Sequence, residues 1–284
     1  MRSPYLVDFR NQLSELNNRL SHYIFVWEQF AFDNAELLSK RKSQQTTSVY
    51  PDNRYARQYN VKLGKLAESH NSTSEFILKS LYLLLYSEFE VYMRSLYELA
   101  RKVDKDLPHI DVKARVPDKV FELLNIEMNT VFDQKEQWTF EYFRLRRNRI
   151  VHSGGQSKGE LADVIKHHGN ALQKYWDERL TRGLFGLNFQ SEETNHFIKE
   201  EFFDFINIWR ILTIKIDELI CARMSREKFI KYVYAVFIND RKKKLKGWGV
   251  EKTKAKFLGY TKMEFDFQLT QEEQAQFDYN GDVA

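Results

Sequence analysis

The sequence predicts an all-α protein, and three observations support that prediction. Only 4 Pro and 11 Gly occur among the 284 residues, which is few for a protein made of many short strands and tight turns. Hydrophobic residues make up 43% of the chain, enough for a sizeable core. Apolar residues also recur every three or four positions over long stretches, which is the spacing of one helix face.

Residues 1–70 are interpreted as an N-terminal helical extension. From Tyr5 to Lys42 the apolar spacing predicts one long helix or two consecutive helices. Residues 43–74 are then rich in Gln, Thr, Ser and Asn and contain Pro51 and Gly64, a composition typical of a loop with a short helix inside it. We therefore place a domain boundary in this stretch.

Residues 71–223 are predicted to form the central helical part. A helix begins after the capping residues at 72–74 and continues to about residue 103, apolar around much of its circumference. A short helix over 118–128 follows a proline. Further helices are predicted over 134–152 and 192–224.

Residues 224–284 combine a basic segment with an acidic tail. Residues 223–262 hold 13 Lys or Arg against 3 Asp or Glu, whereas residues 263–284 hold six acidic residues and no basic one. The charges of the two segments, +10 and −6, offset each other in part, so the net charge of the chain is only +4. Lys242, Lys243 and Lys244 are candidates for binding a nucleic-acid backbone, although such a run is also common at a solvated helix end. The tail either folds back onto the basic segment or is disordered.

Several protein classes are excluded by missing signals. The single cysteine, Cys221, cannot form an intramolecular disulfide, and residues 1–9 lack the apolar run of a secretion signal, so we expect a cytoplasmic protein. The most apolar window, 76–86, is far shorter than the roughly 20 residues of a membrane helix. There is no glycine-rich phosphate loop and no GxSxG motif, which argues against NTPases and serine hydrolases.

The stretch from 143 to 155 carries the main chemical signal. Four arginines fall within six positions, at Arg144, Arg146, Arg147 and Arg149, and His152 lies at the predicted helix end. Asn148 directly follows Arg147, and Ser-Gly-Gly at 153–155 is expected to stop the helix. Of the seven histidines, only His152 follows an arginine with four to six residues between the two.

This pattern resembles the motif of the HEPN superfamily, in which an Arg is followed by four to six residues and then a His, usually with a polar residue after the Arg. Arg147 matches the four-residue spacing with Asn148 in the polar position, and Arg146 matches the five-residue spacing. The resemblance covers roughly residues 74–223. It implies a HEPN-like antiparallel helical bundle with additional N- and C-terminal helices.

The resemblance implies a metal-independent endoribonuclease without a cofactor. RNA cleavage without a metal requires a general acid or base that titrates near neutrality, which His152 supplies. It also requires a permanent cation for the charge that grows on the phosphate, which Arg147 supplies. Asn148 is expected to orient His152 or to form a hydrogen bond with a phosphate. Arg144, Arg146 and Arg149 are predicted to guide the RNA backbone. Glu90, about 60 residues upstream, is a candidate supporting acid.

The resemblance implies a homodimer, and the spacing of the motif gives a physical reason for one. Five residues are about 500° of helix, so Arg147 and His152 point some 140° apart and lie about 7.5 Å apart along the axis. In HEPN nucleases two copies of the motif share one cleft, so the resemblance implies an active site at a dimer interface. It also implies a toxin or antiviral-defence effector, with an antitoxin or regulatory protein as a further partner.

Alternatives to this assignment come from the same residues. Cations at a helix end complement the helix dipole and need no further function. A non-catalytic HEPN scaffold that binds RNA, a nucleotide or a protein partner is the main functional alternative. His167 and His168 are a weak candidate for metal binding, because adjacent residues on a helix diverge by about 100°.

Overall fold

The computed structural model describes residues 1–152, 158–245, 247–277 and 279, with the backbone alone for Lys158 and Lys244. These residues form twelve α-helices, one short 3-10 helix and an isolated β-bridge between Gln45 and Lys62. The predicted all-α class is confirmed. None of the helices within the described ranges is long and apolar enough to cross a membrane.

The helices are numbered in chain order. They are α1 (Pro4–Asp33), α2 (Ala35–Lys40), α3 (Thr46–Val49), the 3-10 helix η1 (Leu63–Lys65), α4 (Leu66–Val103), α5 (Asp118–Leu123), α6 (Met128–Val131), α7 (Gln134–Val151), α8 (Lys158–Arg179), α9 (Lys199–Arg223), α10 (Arg226–Leu245), α11 (Val250–Phe265) and α12 (Gln271–Gln276). Of the two alternatives for the N-terminal stretch, two consecutive helices are found, and the helix predicted over 134–152 is found one residue shorter.

Two helices begin elsewhere than predicted. Helix α4 already begins at Leu66, so the residues taken as its cap lie inside it. The Thr73 hydroxyl donates to the Ser69 carbonyl at 2.8 Å, a bond to the preceding turn that a mid-helix threonine commonly makes. Helix α9 begins at Lys199 and not at Glu192, because residues 191–198 form an irregular segment.

The chain divides into two compact units assembled from segments that are distant in sequence. The first unit consists of Met1–Gln12, Ser87–Gln134 and Trp209–Ala284, and the second of Leu13–Tyr86 and Lys135–Ile208. The divisions fall inside α1, α4 and α9 and directly after the first residue of α7. They therefore divide the chain differently from the predicted segments 1–70, 71–223 and 224–284.

The first unit has an aromatic core with one buried acid. The rings of Phe89 and Trp209 lie 4.0 Å apart between centroids. Beside them the carboxylate of Asp217 accepts from the backbone N–H of Ser3 at 2.8 Å and from the hydroxyl of Tyr92 at 3.3 Å. Burial raises the pKa of Asp217, because desolvation of the charged form outweighs these hydrogen bonds.

Within the same unit, the described part of the acidic tail packs against the basic segment. Arg226 pairs with Glu273, its Nη2 lying 2.9 Å from Oε2. The Tyr234 hydroxyl on α10 donates to the Tyr279 carbonyl at 2.9 Å. Glu273 also completes a capping box with Thr270 at the start of α12. Of the two alternatives for the tail, folding back is therefore the one found over these residues.

The second unit holds α7 in an aromatic core. Phe143 of α7 lies 5.1 Å from Phe205 of α9, and Phe205 lies 4.8 Å from Tyr82 of α4. The Tyr82 hydroxyl donates to the Phe143 carbonyl at 2.9 Å. These buried contacts fix the position of α7, and thereby of the arginine cluster at its C-terminal end.

Candidate active site

The arginine cluster occupies the last two turns of α7. The helix ends at Val151, and the backbone N–H of His152 donates to the Asn148 carbonyl at 2.9 Å, which continues the helical hydrogen-bond pattern by one residue. The side chain of His152 is exposed. The predicted Ser-Gly-Gly stop lies outside the described residues.

Arg146 is buried and fully engaged inside the protein. Its side chain is 2% exposed and forms a two-pronged ion pair with Glu201 of α9, with Nη2 at 3.0 Å from Oε2. It also donates to the carbonyl of Thr194 at 3.1 Å and to that of His196 at 3.2 Å. The ring of Phe197 covers the guanidinium, with Cζ 4.1 Å from the ring centroid.

The prediction that Arg146 contacts an RNA backbone is therefore corrected. Burial disfavours a charged guanidinium, but the neighbouring Tyr142 and Glu201 groups outweigh that effect and raise the pKa of Arg146. Its charge is neutralised by Glu201, and its donors are used by internal acceptors. Arg146 is a structural residue that joins α7 to α9 and to the irregular segment before α9.

Arg144 and Arg149 are held by other partners. Arg144 pairs with Glu141 one turn earlier, with Nε 2.8 Å from Oε2, and lies 3.6 Å from a carboxylate oxygen of Glu160. Arg149 donates to the hydroxyl of Thr194, and its Nε is buried without a hydrogen-bond partner among the described residues. Both side chains are partly exposed. Their predicted contact with RNA stays a prediction.

Arg147 differs from the other three arginines. Its Nη1 donates to the Oδ1 of Asn148 at 3.2 Å, and its Cζ lies 5.9 Å from the ring centroid of Tyr86 on α4. Within the described ranges neither a carboxylate nor a carbonyl of the main chain binds its guanidinium. The side chain is half-buried and therefore reachable from solvent.

Asn148 forms hydrogen bonds with both of the other motif residues, Arg147 and His152. Its side chain accepts from Arg147, and its main-chain carbonyl accepts from the N–H of His152. Its predicted role was to orient His152 or to bind a phosphate. The observed side-chain partner is Arg147, a pairing that the sequence analysis missed.

The remaining candidates belong to the first unit. Glu90 is half-buried on α4 and belongs to the first unit, and the carboxylates that pair with the motif arginines are Glu141, Glu160 and Glu201. Lys242 and Lys243 are exposed on α10, and the side chain of Lys244 lies outside the described part. A helper acid at Glu90 and an RNA contact by these lysines stay predictions.

The weaker metal hypothesis gains no support. The ring of His168 stacks on Trp138 with 3.7 Å between centroids, a packing contact between α8 and α7. No group of three or more His, Cys, Asp or Glu side chains is arranged to hold a metal ion in the described part of the chain.

The site also contains residues that sequence reasoning did not find. A cleft of about 220 Å³ opens beside the buried ion pair, and Thr194, His196 and Glu201 line it together with Arg146. Glu201 follows Arg146 by 55 residues, so no local pattern connects them. The available signal was an acidic residue close in sequence to Phe197, Phe202 and Phe205, which predicts a buried carboxylate in need of a cation.

Comparison of the chain with protein-family models, with curated proteins and with solved structures gave no match.

Proposed function

We propose that this chain is a metal-independent endoribonuclease of the HEPN type, with Arg147 and His152 as its catalytic residues. One observation carries the proposal. Of the four clustered arginines, the one at the four-residue spacing from His152 is the one whose guanidinium has neither a carboxylate nor a main-chain carbonyl partner within the described residues. A cation without an internal counter-ion is suited to a phosphate.

The packing of the second unit supports a HEPN-like bundle around this motif. Helix α7 contacts α4 and α9 through Tyr82, Phe143 and Phe205. It contacts α8 through a hydrogen bond of 2.7 Å from the indole N–H of Trp176 to the Thr139 hydroxyl. The motif-bearing helix is thus surrounded by three long helices, and the N- and C-terminal helices are additions to that bundle.

The proposed reaction begins with attack of an RNA 2′-oxygen on the adjacent phosphorus. The new O–P bond forms as the bond from phosphorus to the 5′-oxygen breaks, giving a 2′,3′-cyclic phosphate and a 5′-hydroxyl. A base removes the proton of the 2′-hydroxyl, and an acid delivers a proton to the leaving 5′-oxygen. The reaction therefore needs both a base and an acid. His152 exchanges these protons, and Arg147 stabilises the charge on the phosphate oxygens.

A homodimer meets the need for two proton-transfer groups. Arg147 and His152 of one copy diverge by about 140° around α7, so a single helix does not direct both at one phosphate. Two facing copies supply one histidine as base, the other as acid, and two arginines around one substrate. The exposed position of His152 at the helix end is consistent with such an interface.

In this proposal the enzyme is a cytoplasmic toxin or antiviral-defence effector that an antitoxin or regulatory protein holds in check. The alternative is a non-catalytic HEPN scaffold that binds RNA, a nucleotide or a protein. The internal engagement of Arg144, Arg146 and Arg149 favours that alternative, because it leaves the motif with a single uncommitted cation.

Cleavage of end-labelled RNA in EDTA tests the proposal. We expect the wild-type chain to leave cyclic-phosphate ends, and His152→Ala and Arg147→Ala to lower the rate about 10²- to 10⁴-fold, the usual contribution of such groups. Exposed residues of the same unit provide matched controls, His167→Ala and Arg182→Ala, which should cleave normally. Cleavage that survives both motif substitutions, or that EDTA abolishes, contradicts the proposal. A wild-type chain that binds RNA without cutting it favours the scaffold.

A further inference from the structure

The segment between α2 and α4 carries a concentrated positive charge that the proposed active site does not use. Residues 41–65, named here the basic loop, contain six Lys or Arg and one Asp, a net charge of +5. All six cationic side chains are exposed: Arg41, Lys42, Arg54, Arg57, Lys62 and Lys65. None of them forms an ion pair within the described part of the chain. Their charge is therefore available to an anionic ligand.

The basic loop has a defined shape because its two ends are joined. The N–H of Thr46 donates to the Val61 carbonyl at 2.9 Å, and the N–H of Leu63 donates to the Gln44 carbonyl at 2.9 Å. Gly64 lies so close to the other strand of the loop that a Cβ there would approach the Lys42 Cβ to 3.2 Å. A surface loop closed at its base in this way is a preformed binding element.

A small aromatic pocket opens within the loop. Its volume is about 180 Å³, and its walls include Phe30 of α1 together with Tyr50, Tyr55 and Tyr59. This is below the roughly 300 to 1,000 Å³ of pockets that hold drug-sized ligands, and it suits one flat ring. Tyr55 and Tyr59 are unusually open for aromatic residues, at 55% and 45% exposed.

A polar group at the pocket complements the edge of such a ring. The Oδ1 of Asn53 accepts from the N–H of Tyr55 at 2.9 Å, which fixes the side-chain amide, and the N–H groups of that amide are hydrogen-bond donors. Arg54 lies over the Tyr55 ring, with Cζ 4.7 Å from the centroid, and extends the stacking surface with a cation. Rings, a hydrogen-bond donor and six cations thus occur on one preformed loop.

We propose that the basic loop binds single-stranded RNA. One base enters the aromatic pocket and stacks on its tyrosines, and the surrounding Lys and Arg side chains bind the adjacent phosphates. Aromatic stacking combined with a cationic surface is the general means by which proteins hold unpaired nucleic acid. The choice of RNA over other anionic chains rests on the proposed function, whereas the pocket and the charge do not. The loop would capture substrate away from Arg147 and His152.

Fluorescence anisotropy with a 2′-O-methyl oligouridine tests this proposal. The methyl groups block cleavage, so the wild-type chain can be used whether or not it is a nuclease. A length of about 12 nucleotides falls within the usual site size of single-strand binding folds. An abasic oligomer with the same number of phosphates is the matched probe, because it carries the charge without the rings.

We expect the wild-type chain to bind the oligouridine about 10-fold more tightly than the abasic oligomer. Tyr59→Ala should abolish that difference and Tyr59→Phe should keep it, since stacking needs the ring and not the hydroxyl. The double substitution Arg57→Gln and Lys62→Gln, at exposed positions, should weaken binding of both probes and reduce its salt dependence. It also tests the charge if the tyrosine variant fails to fold.

Equal binding of the two probes by the wild-type chain overturns the proposal, as does wild-type affinity in Tyr59→Ala. Tighter binding to phosphatidylserine vesicles than to the oligouridine also overturns it, since the surface would then bind membranes. Failure of the catalytic proposal is recognised separately: His152→Ala should bind the oligouridine normally, and a chain that binds it but cleaves no RNA keeps the loop proposal while losing the other.

Discussion

Two adjacent arginines lie on different faces of α7 and differ in burial and in their partners. Arg146 lies on the face that packs against α9, where Glu201, two carbonyls and an aromatic ring enclose it. Arg147, about 100° further around the helix, is half-buried beside Asn148 and Tyr86. Identical side chains therefore serve as a structural bond on one face and as an uncommitted cation on the other. Environment, and not residue type, determines which arginine is available for chemistry.

Breaking the buried pair should produce the largest effect. We expect Glu201→Ala to lower the free energy of unfolding by about 3–5 kcal/mol, because it leaves the Arg146 charge buried without a counter-ion. Arg147→Ala should cost under about 1 kcal/mol, since its partners are weaker and it is half-buried. Urea unfolding monitored by circular dichroism measures the free energy of unfolding of both variants.

Two further variants test whether the loss of unfolding free energy in Glu201→Ala comes from the unpaired buried charge. Glu200→Ala, at the neighbouring and more exposed position, should change the free energy of unfolding by less than about 1 kcal/mol. The double variant Arg146→Met and Glu201→Leu should recover most of the stability, because it removes both charges together. Equal destabilisation by Glu201→Ala and Arg147→Ala would contradict the assignment of a structural role to Arg146 and not to Arg147.

A smaller effect is expected from the side chain that holds Arg147. Asn148→Ala removes a hydrogen bond to a charged group, so we predict a decrease of about 10-fold in kcat for RNA cleavage with little change in unfolding free energy. Asn170→Ala, an exposed asparagine on α8, is the matched control. Normal turnover by Asn148→Ala would show that Arg147 needs no such support.

The smallest effect is expected in the irregular segment before α9, which binds two of the arginines. Thr194 binds Arg149 through its hydroxyl and Arg146 through its carbonyl. Thr194→Val removes only the first bond, and we predict a loss of about 1 kcal/mol in unfolding free energy with cleavage unchanged. Thr194→Ser should behave as wild type. A loss above about 3 kcal/mol in Thr194→Val would assign Arg149 to the same structural group as Arg146.

The helix pattern was predictable where local periodicity determined it. Residues 134–152 were assigned from apolar spacing, and α7 is found at Gln134–Val151. The start of α9 was not predictable in this way, since residues 191–198 are held by hydrogen bonds to arginines far upstream. The start of α4 was misplaced because serine and threonine cap helices and also occur inside them, as Thr73 does.

The candidate site was predictable only as a set of residue types. The motif selected Arg147, Asn148 and His152 by spacing, but four arginines on one helix end look alike in a sequence. The partner that distinguishes Arg146 lies 55 residues later, on another helix. Such long-range pairing depends on tertiary packing, which neither propensity nor periodicity encodes. The pocket in the basic loop was missed for the same reason, because Phe30 and Tyr59 meet only in the folded chain.

The ion pair between Arg146 and Glu201 has a consequence for the angular setting of the motif. Each helical residue turns the chain by about 100°, so the direction of every side chain on α7 is set once one of them is anchored. With Arg146 fastened to α9, the helix is not free to rotate about its axis, and removal of one residue between Arg146 and His152 would turn the histidine by about 100°. The buried pair thus fixes the rotation of α7 about its axis. The number of residues between Arg146 and His152 then determines the direction in which the histidine points.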